Sequence, residues 1–405
     1  MQRTNVKIDW VFLIYAFVTL FFGTSIMSFC GLIPTEDGLI ARTHYQGIPF
    51  LIWAYLSNRK VRFLKEDKIF LFFSLLIVLL RIFLFRVGNL AQVVTMSIEP
   101  MMVLAILRSA NIKTIKYLTY LMFLFFLVEC GVALLEAVTR VVIFDYKDMW
   151  NDGIMLYELR SHSLHGHPLQ NAFIVSTMMI AVMLSKLSLP MKYSLYFLGL
   201  MALFCFNTRS SIYLMGGVLG VGLWRDLFLN KNVSVTKKIL MFFFVWACLA
   251  YLFVQIENFE LGSRLATKMN KDDTSSQARF LILKMLQDLT FVDLPFGTDG
   301  VQIEFLMKKN GLRILENSLF IILYQFGILY LIYYIVLWAK KLFALCDSKY
   351  QFIMYMLVLA ILINTNNSLC TNTPVIVFVI FSVYLMKYFN HKTYEAINNN
   401  TNLQR

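Results

Sequence analysis

The stretch ENSLFIILYQFGILYLIYYIVLW, residues 316–338, decides the fold. Three polar residues, Glu316-Asn317-Ser318, stand at its head, and an apolar run follows. A hydrocarbon core about 30 Å thick takes roughly 20 such residues as helix. Runs of the same kind recur upstream and downstream. About twelve candidate spans can be placed, near 10–30, 39–57, 69–86, 89–107, 117–138, 168–187, 191–206, 210–226, 239–256, 316–338, 351–364 and 372–388. The runs do not alternate as barrel strands do, so helices are the spanning form. The expected fold is an all-α polytopic membrane protein, residues 1–405 forming a single integral membrane domain.

Composition agrees. The chain is 59% apolar, with only 15% charged residues and a mean hydropathy of +0.66. A soluble protein of this length could not hide that much apolar surface. The net charge of +13 does not point to nucleic acid, because no basic run is long or polar enough. Basic residues gather instead at every second connection: Arg3 and Lys7; Arg59 to Lys68; Arg108 to Lys116; Lys186 and Lys192; Arg225 to Lys238; Lys340 to Lys349; and Lys387 onward. That alternation predicts both termini in the cytoplasm, with an uncleaved first span over Trp10–Cys30. The six cysteines form no metal-ligand or redox spacing and read as small buried hydrophobes.

The largest polar interruption, 257–315, is then a long periplasmic loop, expected to carry short amphipathic helices. One begins at Gln277-Ala278-Arg279 and continues through Leu281-Ile282-Leu283 and Met285-Leu286. A turn follows at Pro295-Phe296-Gly297-Thr298-Asp299-Gly300. The Asn-rich segment 392–405 reads as a disordered cytoplasmic tail.

Four polar groups interrupt the external ends of the spans. Arg160-Ser161-His162-Ser163-Leu164-His165-Gly166-His167 holds three of the chain's five histidines. Glu158 is the only local candidate for a further metal ligand, so no metal is expected; the plainer reading is a polar helix start before Pro168. Asn207-Thr208-Arg209-Ser210 puts an arginine in a tight turn, where it is hydrated, snorkelling, or holding an anion. Arg279 belongs at headgroup level. Glu316 either favours the positive end of a helix or deprotonates a hydroxyl. Arg81, Glu99, Glu129 and Glu136 are charges inside apolar spans, and Arg81 with Glu99 reads as a structural pair. Asp272-Asp273 reads as solvated.

The order of these residues resembles the O-antigen polymerase and ligase superfamily of bacterial surface-polysaccharide assembly. Arg160 is followed by His167-Pro168-Leu169-Gln170-Asn171, then Thr208-Arg209-Ser210-Ser211, Arg279, Gly297-Thr298-Asp299-Gly300, and Glu316-Asn317-Ser318 with Gly327. The resemblance covers roughly Arg160 to Leu337. Ligases of the superfamily usually carry a histidine before the Asn; Glu316 stands there, which favours a polymerase. Polymerases pair an arginine with a glycine in two external loops; the corresponding positions here are Asn171 and Thr290.

The resemblance implies a multi-pass glycosyltransferase of the bacterial inner membrane that polymerises lipid-linked repeat units of O-antigen or capsule. It would move the growing glycan from undecaprenyl diphosphate to a sugar hydroxyl of another lipid-linked unit, at the periplasmic face. Arginine binds phosphate oxygens in a two-pronged fashion, so Arg160, Arg209 and Arg279 are the expected diphosphate ligands. Glu316 is the expected base, with His165 or His167 behind it, and Asn317 and Asn171 supporting. The expected partners are the undecaprenyl-diphosphate-linked oligosaccharide, the bilayer, a chain-length regulator and a flippase, with no nucleic acid, no metal and no cofactor. The rivals are a lipid-linked oligosaccharide flippase and an O-antigen ligase. Transporters often show two related halves and interrupted helices; neither stands out in the sequence.

Overall fold

In the computed structural model the described residues are 9–32, 46–58, 61–83, 90–144, 160–229, 234–259, 281–312, 315, 317–365, 367–370 and 373–403. Their regular structure is all helix, with no strand among them. The chain opens with α1 (Trp10–Phe21), α2 (Thr24–Phe29), α3 (Ile48–Ser57) and α4 (Lys65–Phe83). Next come α5 (Leu90–Val93), a π-turn at Val94–Ile98, α6 (Glu99–Ser109) and α7 (Ile112–Thr139). The middle holds α8 (Pro168–Leu184), α9 (Leu189–Cys205), α10 (Arg209–Trp224) and α11 (Val235–Phe259). Short α12 (Asp293–Phe296) and α13 (Gly300–Lys309) lie in the described part of the long loop. The chain closes with α14 (Ser318–Leu345), α15 (Lys349–Thr365) and α16 (Val375–Leu403).

Ile112–Thr139, Arg209–Leu229 and Ser318–Leu345 are each long and apolar enough to cross a membrane, and shorter apolar helices pack among them. Helix α4 shows what solvent they suit. Its inward face buries Phe70, Ser74, Ile77 and Arg81, while Phe72, Leu75, Leu79 and Phe83 form an exposed apolar stripe, Phe83 at 78%. Such a stripe is costly in water and costs nothing in hydrocarbon.

Helix α8 is the hub. It carries no charge and is buried at every position but Leu169, and it packs against α7, α9, α10, α15 and α16. Its neighbours come close because they offer glycine: a Cβ on Gly199 would stand 2.6 Å from Met179 Cγ, and one on Gly222 would stand 2.3 Å from Met183 Sδ.

Charged groups mark one end of the bundle. Asp67 at the start of α4 takes Arg108 from the end of α6 and Lys341 Nζ, at 2.6 Å, from the end of α14. Lys192 at the start of α9 pairs with Asp226 just beyond α10 at 3.4 Å. These are helix ends that the basic-residue alternation assigns to one side.

The helices are interrupted where the apolar pattern looked continuous, which corrects the expectation drawn from the sequence. α1 gives way to α2 at Phe22-Gly23. The π-turn precedes Pro100, which has no N–H to offer the carbonyl of Met96; the Tyr334 hydroxyl donates to it at 3.3 Å. Helix α14 breaks at Gly327, with φ 82° and ψ 168°. That break leaves the Tyr324 carbonyl without a helical donor, and Thr298 N–H fills it at 2.7 Å. The turn expected at Pro295–Gly300 therefore interlocks with the broken helix backbone to backbone. An added Cβ on Gly327 would lie 2.0 Å from the Pro295 carbonyl oxygen, and one on Gly297, at φ 77°, would lie 2.4 Å from that of Gln325. Arg81, buried in α4, donates to the Thr298 carbonyl at 3.3 Å and lies over the Phe326 ring. Glu99 accepts the Tyr15 hydroxyl at 2.8 Å. Each of the two residues read as a pair thus has a different partner.

Gly297→Ala or Gly327→Ala combines a left-handed φ with a backbone clash. Each is expected to destabilise the protein by about 3 kcal/mol or more, read as a lower melting temperature in detergent. Gly131→Ala, whose methyl meets nothing within 4 Å, is expected to leave it unchanged.

Candidate functional site

At the end of the bundle opposite the ion pairs, segments that are distant in sequence meet. Residues 160–167 form a compact loop between α7 and α8. Ser161 N–H donates to the Cys205 carbonyl at 2.9 Å, and Arg160 Nε reaches the Phe206 carbonyl at 3.5 Å. The loop thus sits against the α9–α10 turn, where Asn207 takes a left-handed φ of 52°. Arg209 opens α10 and is half-buried. Arg160 is almost fully buried. Two of the three expected diphosphate ligands are therefore on touching segments. Arg279 and Glu316 lie outside the described residues.

His167 is the N-cap of α8. Its Nδ1 accepts the Leu169 N–H at 3.2 Å. Burial, with help from the Arg160 guanidinium and His162, pushes its pKa down to about 3. A neutral ring whose Nδ1 accepts carries its proton on Nε2. His167 is thus equipped to donate a hydrogen bond rather than to take a proton. His165 turns the other way. It is buried in the core, edge-on to Phe125 and Phe378, and its Nε2 lies 3.1 Å from the Leu20 carbonyl that the end of α1 exposes. Gly23 makes room for it: a Cβ there would be 2.5 Å from His165 Nδ1. The structure gives His165 a role in holding the α1–α2 break and brings it to no open face.

Asn171 is buried, and its amide donates to the His162 carbonyl. Asn317 caps α14, accepting Leu319 N–H at 3.0 Å and Phe320 N–H at 3.3 Å, and it donates to Asn364 Oδ1 at 3.3 Å. The two groups of expected site residues are linked by the connection between α15 and α16. Gln170, beside His167, accepts the Thr373 hydroxyl at 2.8 Å. Ser318, beside Asn317, accepts Leu369 N–H at 3.3 Å. Reasoning from the sequence missed Gln170, Ser318 and Thr373 as linkers. The only signal was that 364–373 is polar.

The described part of the long loop covers this end. Residues 281–285 are helical, with Ile282 and Met285 buried and Leu283 exposed, and the Tyr324 hydroxyl donates to the Ile282 carbonyl at 2.6 Å. Phe291, Val301 and Phe305 stand exposed, Phe291 at 94%. Exposed aromatic and aliphatic groups on short helices suit a membrane interface. Among the described residues no cluster of three or more His, Cys, Asp or Glu has metal-binding geometry.

No protein-family model matches the chain, and no curated protein matches it.

The depressed His167 pKa has a signed consequence. The unfolded chain takes up a proton near pH 6.5 that the folded chain refuses until about pH 3. The contribution of His167 to stability is therefore full above pH 6.5 and falls as pH drops through that window. The slope approaches 1.4 kcal/mol per pH unit. Denaturation of wild type and His167→Asn between pH 7 and 4 is expected to show a shallower fall in the variant.

Proposed function

We propose that the chain is a polymerase of lipid-linked oligosaccharide repeat units, acting at the periplasmic face of the bacterial inner membrane. In this reading the apolar helices form about twelve spans, both termini are cytoplasmic, and 257–315 is the periplasmic loop. The observation that carries the proposal is the meeting of the Arg160–His167 loop with the α9–α10 turn that ends on Arg209. The two arginines come from connections that touch at one end of an apolar bundle, and Arg160 lies close enough to His167 to help keep its ring neutral. That is the charge pattern a membrane-anchored diphosphate requires.

The mechanism follows from where charge develops. As the anomeric bond of the donor breaks, negative charge grows on the leaving lipid diphosphate. Guanidinium groups aimed there stabilise the transition state more than the ground state. Arg160 and Arg209 hold that position, with Arg279 completing it from the loop. Nε2–H of His167 donates to a phosphate or sugar oxygen. Glu316 takes the proton of the attacking sugar hydroxyl on a second lipid-linked unit. Asn317, capping the helix that begins at Ser318, fixes the backbone beside it. No step needs a metal or a cofactor.

A flippase is the second reading. The Gly327 break in α14 and the π-turn beside buried Glu99 are the kind of interruption that transporter sites use. A flippase would translocate the lipid-linked unit in vesicles without lengthening its glycan.

The test is elongation of a lipid-linked repeat unit by purified protein in detergent. Arg160→Ala, Arg209→Ala, Arg279→Ala and Glu316→Ala are each expected to lower kcat by about 100-fold or more. Chelator is expected to leave the rate unchanged. Full activity in the Arg279 and Glu316 variants removes those two assignments, and chelator sensitivity removes the metal-free mechanism.

A further inference from the structure

We infer that Glu136 is a positioning residue, whose buried carboxylate fixes the turn that carries Arg160 and His167. The use of that turn rests on the proposed function; its geometry does not. Glu136 lies in the last turn of α7 and is 0% exposed. Its Oε2 accepts from the Ser161 hydroxyl, from His162 N–H at 2.8 Å and from Ser163 N–H at 2.9 Å. Its Oε1 accepts from Ile143 N–H at 3.0 Å. Four donors thus converge on one buried carboxyl group, a polar group that is costly to bury without partners.

The loop is shaped to give those donors. Ser163 sits at φ 46° and Gly166 at φ 77°, both left-handed. Successive N–H groups then converge on one side, as in the backbone concavities that bind anions. Here the group they meet is the chain's own side chain, Glu136. Two turns deeper, Glu129 continues the pattern: its Oε2 accepts Leu164 N–H at 3.3 Å, and its backbone carbonyl accepts the Ser163 hydroxyl at 3.1 Å. Three consecutive amides, 162 to 164, thus bond to two buried glutamate side chains. The loop's carbonyls are held as well: His162 takes Gly166 N–H at 3.0 Å and the Asn171 amide, and His165 takes the Thr24 hydroxyl.

Arg160 precedes this clamped turn and His167 follows it. A guanidinium gains catalytic value when its direction is fixed before substrate arrives, because no reorganisation is then needed. The carboxylates behind the loop supply that fixation without touching the substrate. This accounts for two acidic residues in an apolar span that the proposed chemistry does not otherwise use.

The test is amide hydrogen exchange of residues 160–166 in the purified full-length protein, beside Arg160-dependent activity. Glu136→Ala bares the loop amides, and their exchange is expected to quicken on the order of 100-fold. Glu136→Gln keeps one oxygen for the three donors, and the rise is expected to stay below about 10-fold. Should the alanine variant fail to fold, Glu136→Asp, one methylene short, is expected to fall between them. Unchanged exchange in the alanine or aspartate variant overturns the inference. For catalysis, the Glu136 effect on kcat is expected to vanish in an Arg160→Ala background, as for residues acting through one another. Equal slowing in both backgrounds overturns the positioning role. Wild-type activity in Arg160→Ala itself overturns the proposed function and leaves the exchange result standing.

Discussion

A backbone that leaves its helix inside an apolar interior must find a partner for each N–H and C=O it exposes, because neither lipid nor packed side chains supply one. The architecture of this chain is organised by that requirement. The break in α14 at Gly327 is met by Thr298 N–H, the π-turn before Pro100 by Tyr334, the end of α1 by His165, and the 160–167 loop by Glu136 and Glu129. In each case the partner comes from a distant segment, so each interruption also ties two parts of the bundle together. At each of these described interruptions, another element has come to satisfy the non-helical backbone.

The same ties arrange the candidate site. The loop between α7 and α8 is anchored from below by carboxylates and from the side by the α9–α10 turn. Its neighbour Gln170 and the α14 cap share the connection between α15 and α16. Cations at the resulting end of the bundle are therefore held by short, over-determined segments rather than by long mobile side chains on a free loop. In the proposed reaction that rigidity would matter, because fixed charge around a developing diphosphate would lower the barrier. It also accounts for His165. Next to two candidate groups in sequence, it faces away because the α1 break needs a capping group and Gly23 leaves space for one.

Much of the helical layout was legible in the sequence, since a span is a local property. The run read as 316–338 is Ser318–Leu345, and the run read as 210–226 begins at Arg209. The alternation of basic residues was legible for the same reason, and Asp67, Arg108 and Lys341 meet at one end accordingly. What the sequence hid is pairwise and long-range. Gln325-Phe326-Gly327 and the Pro295–Gly300 turn each stood out, but nothing local says that one glycine faces the other's backbone. Arg81 looked like a partner for Glu99, eighteen positions away, and instead reaches Thr298, 217 positions away. Glu129 and Glu136 were visible as misplaced charges, while their loop donors, 25 and more residues later, were not.

The central claim is that this protein lengthens a glycan while it is still attached to its lipid carrier. The most direct measurement is the surface glycan of a strain from which the gene has been deleted. The account predicts a single repeat unit left on the surface lipid, with long chains restored by the wild-type gene. Persistence of long chains, or loss of all surface glycan with an intact lipid-linked polymer inside, contradicts it.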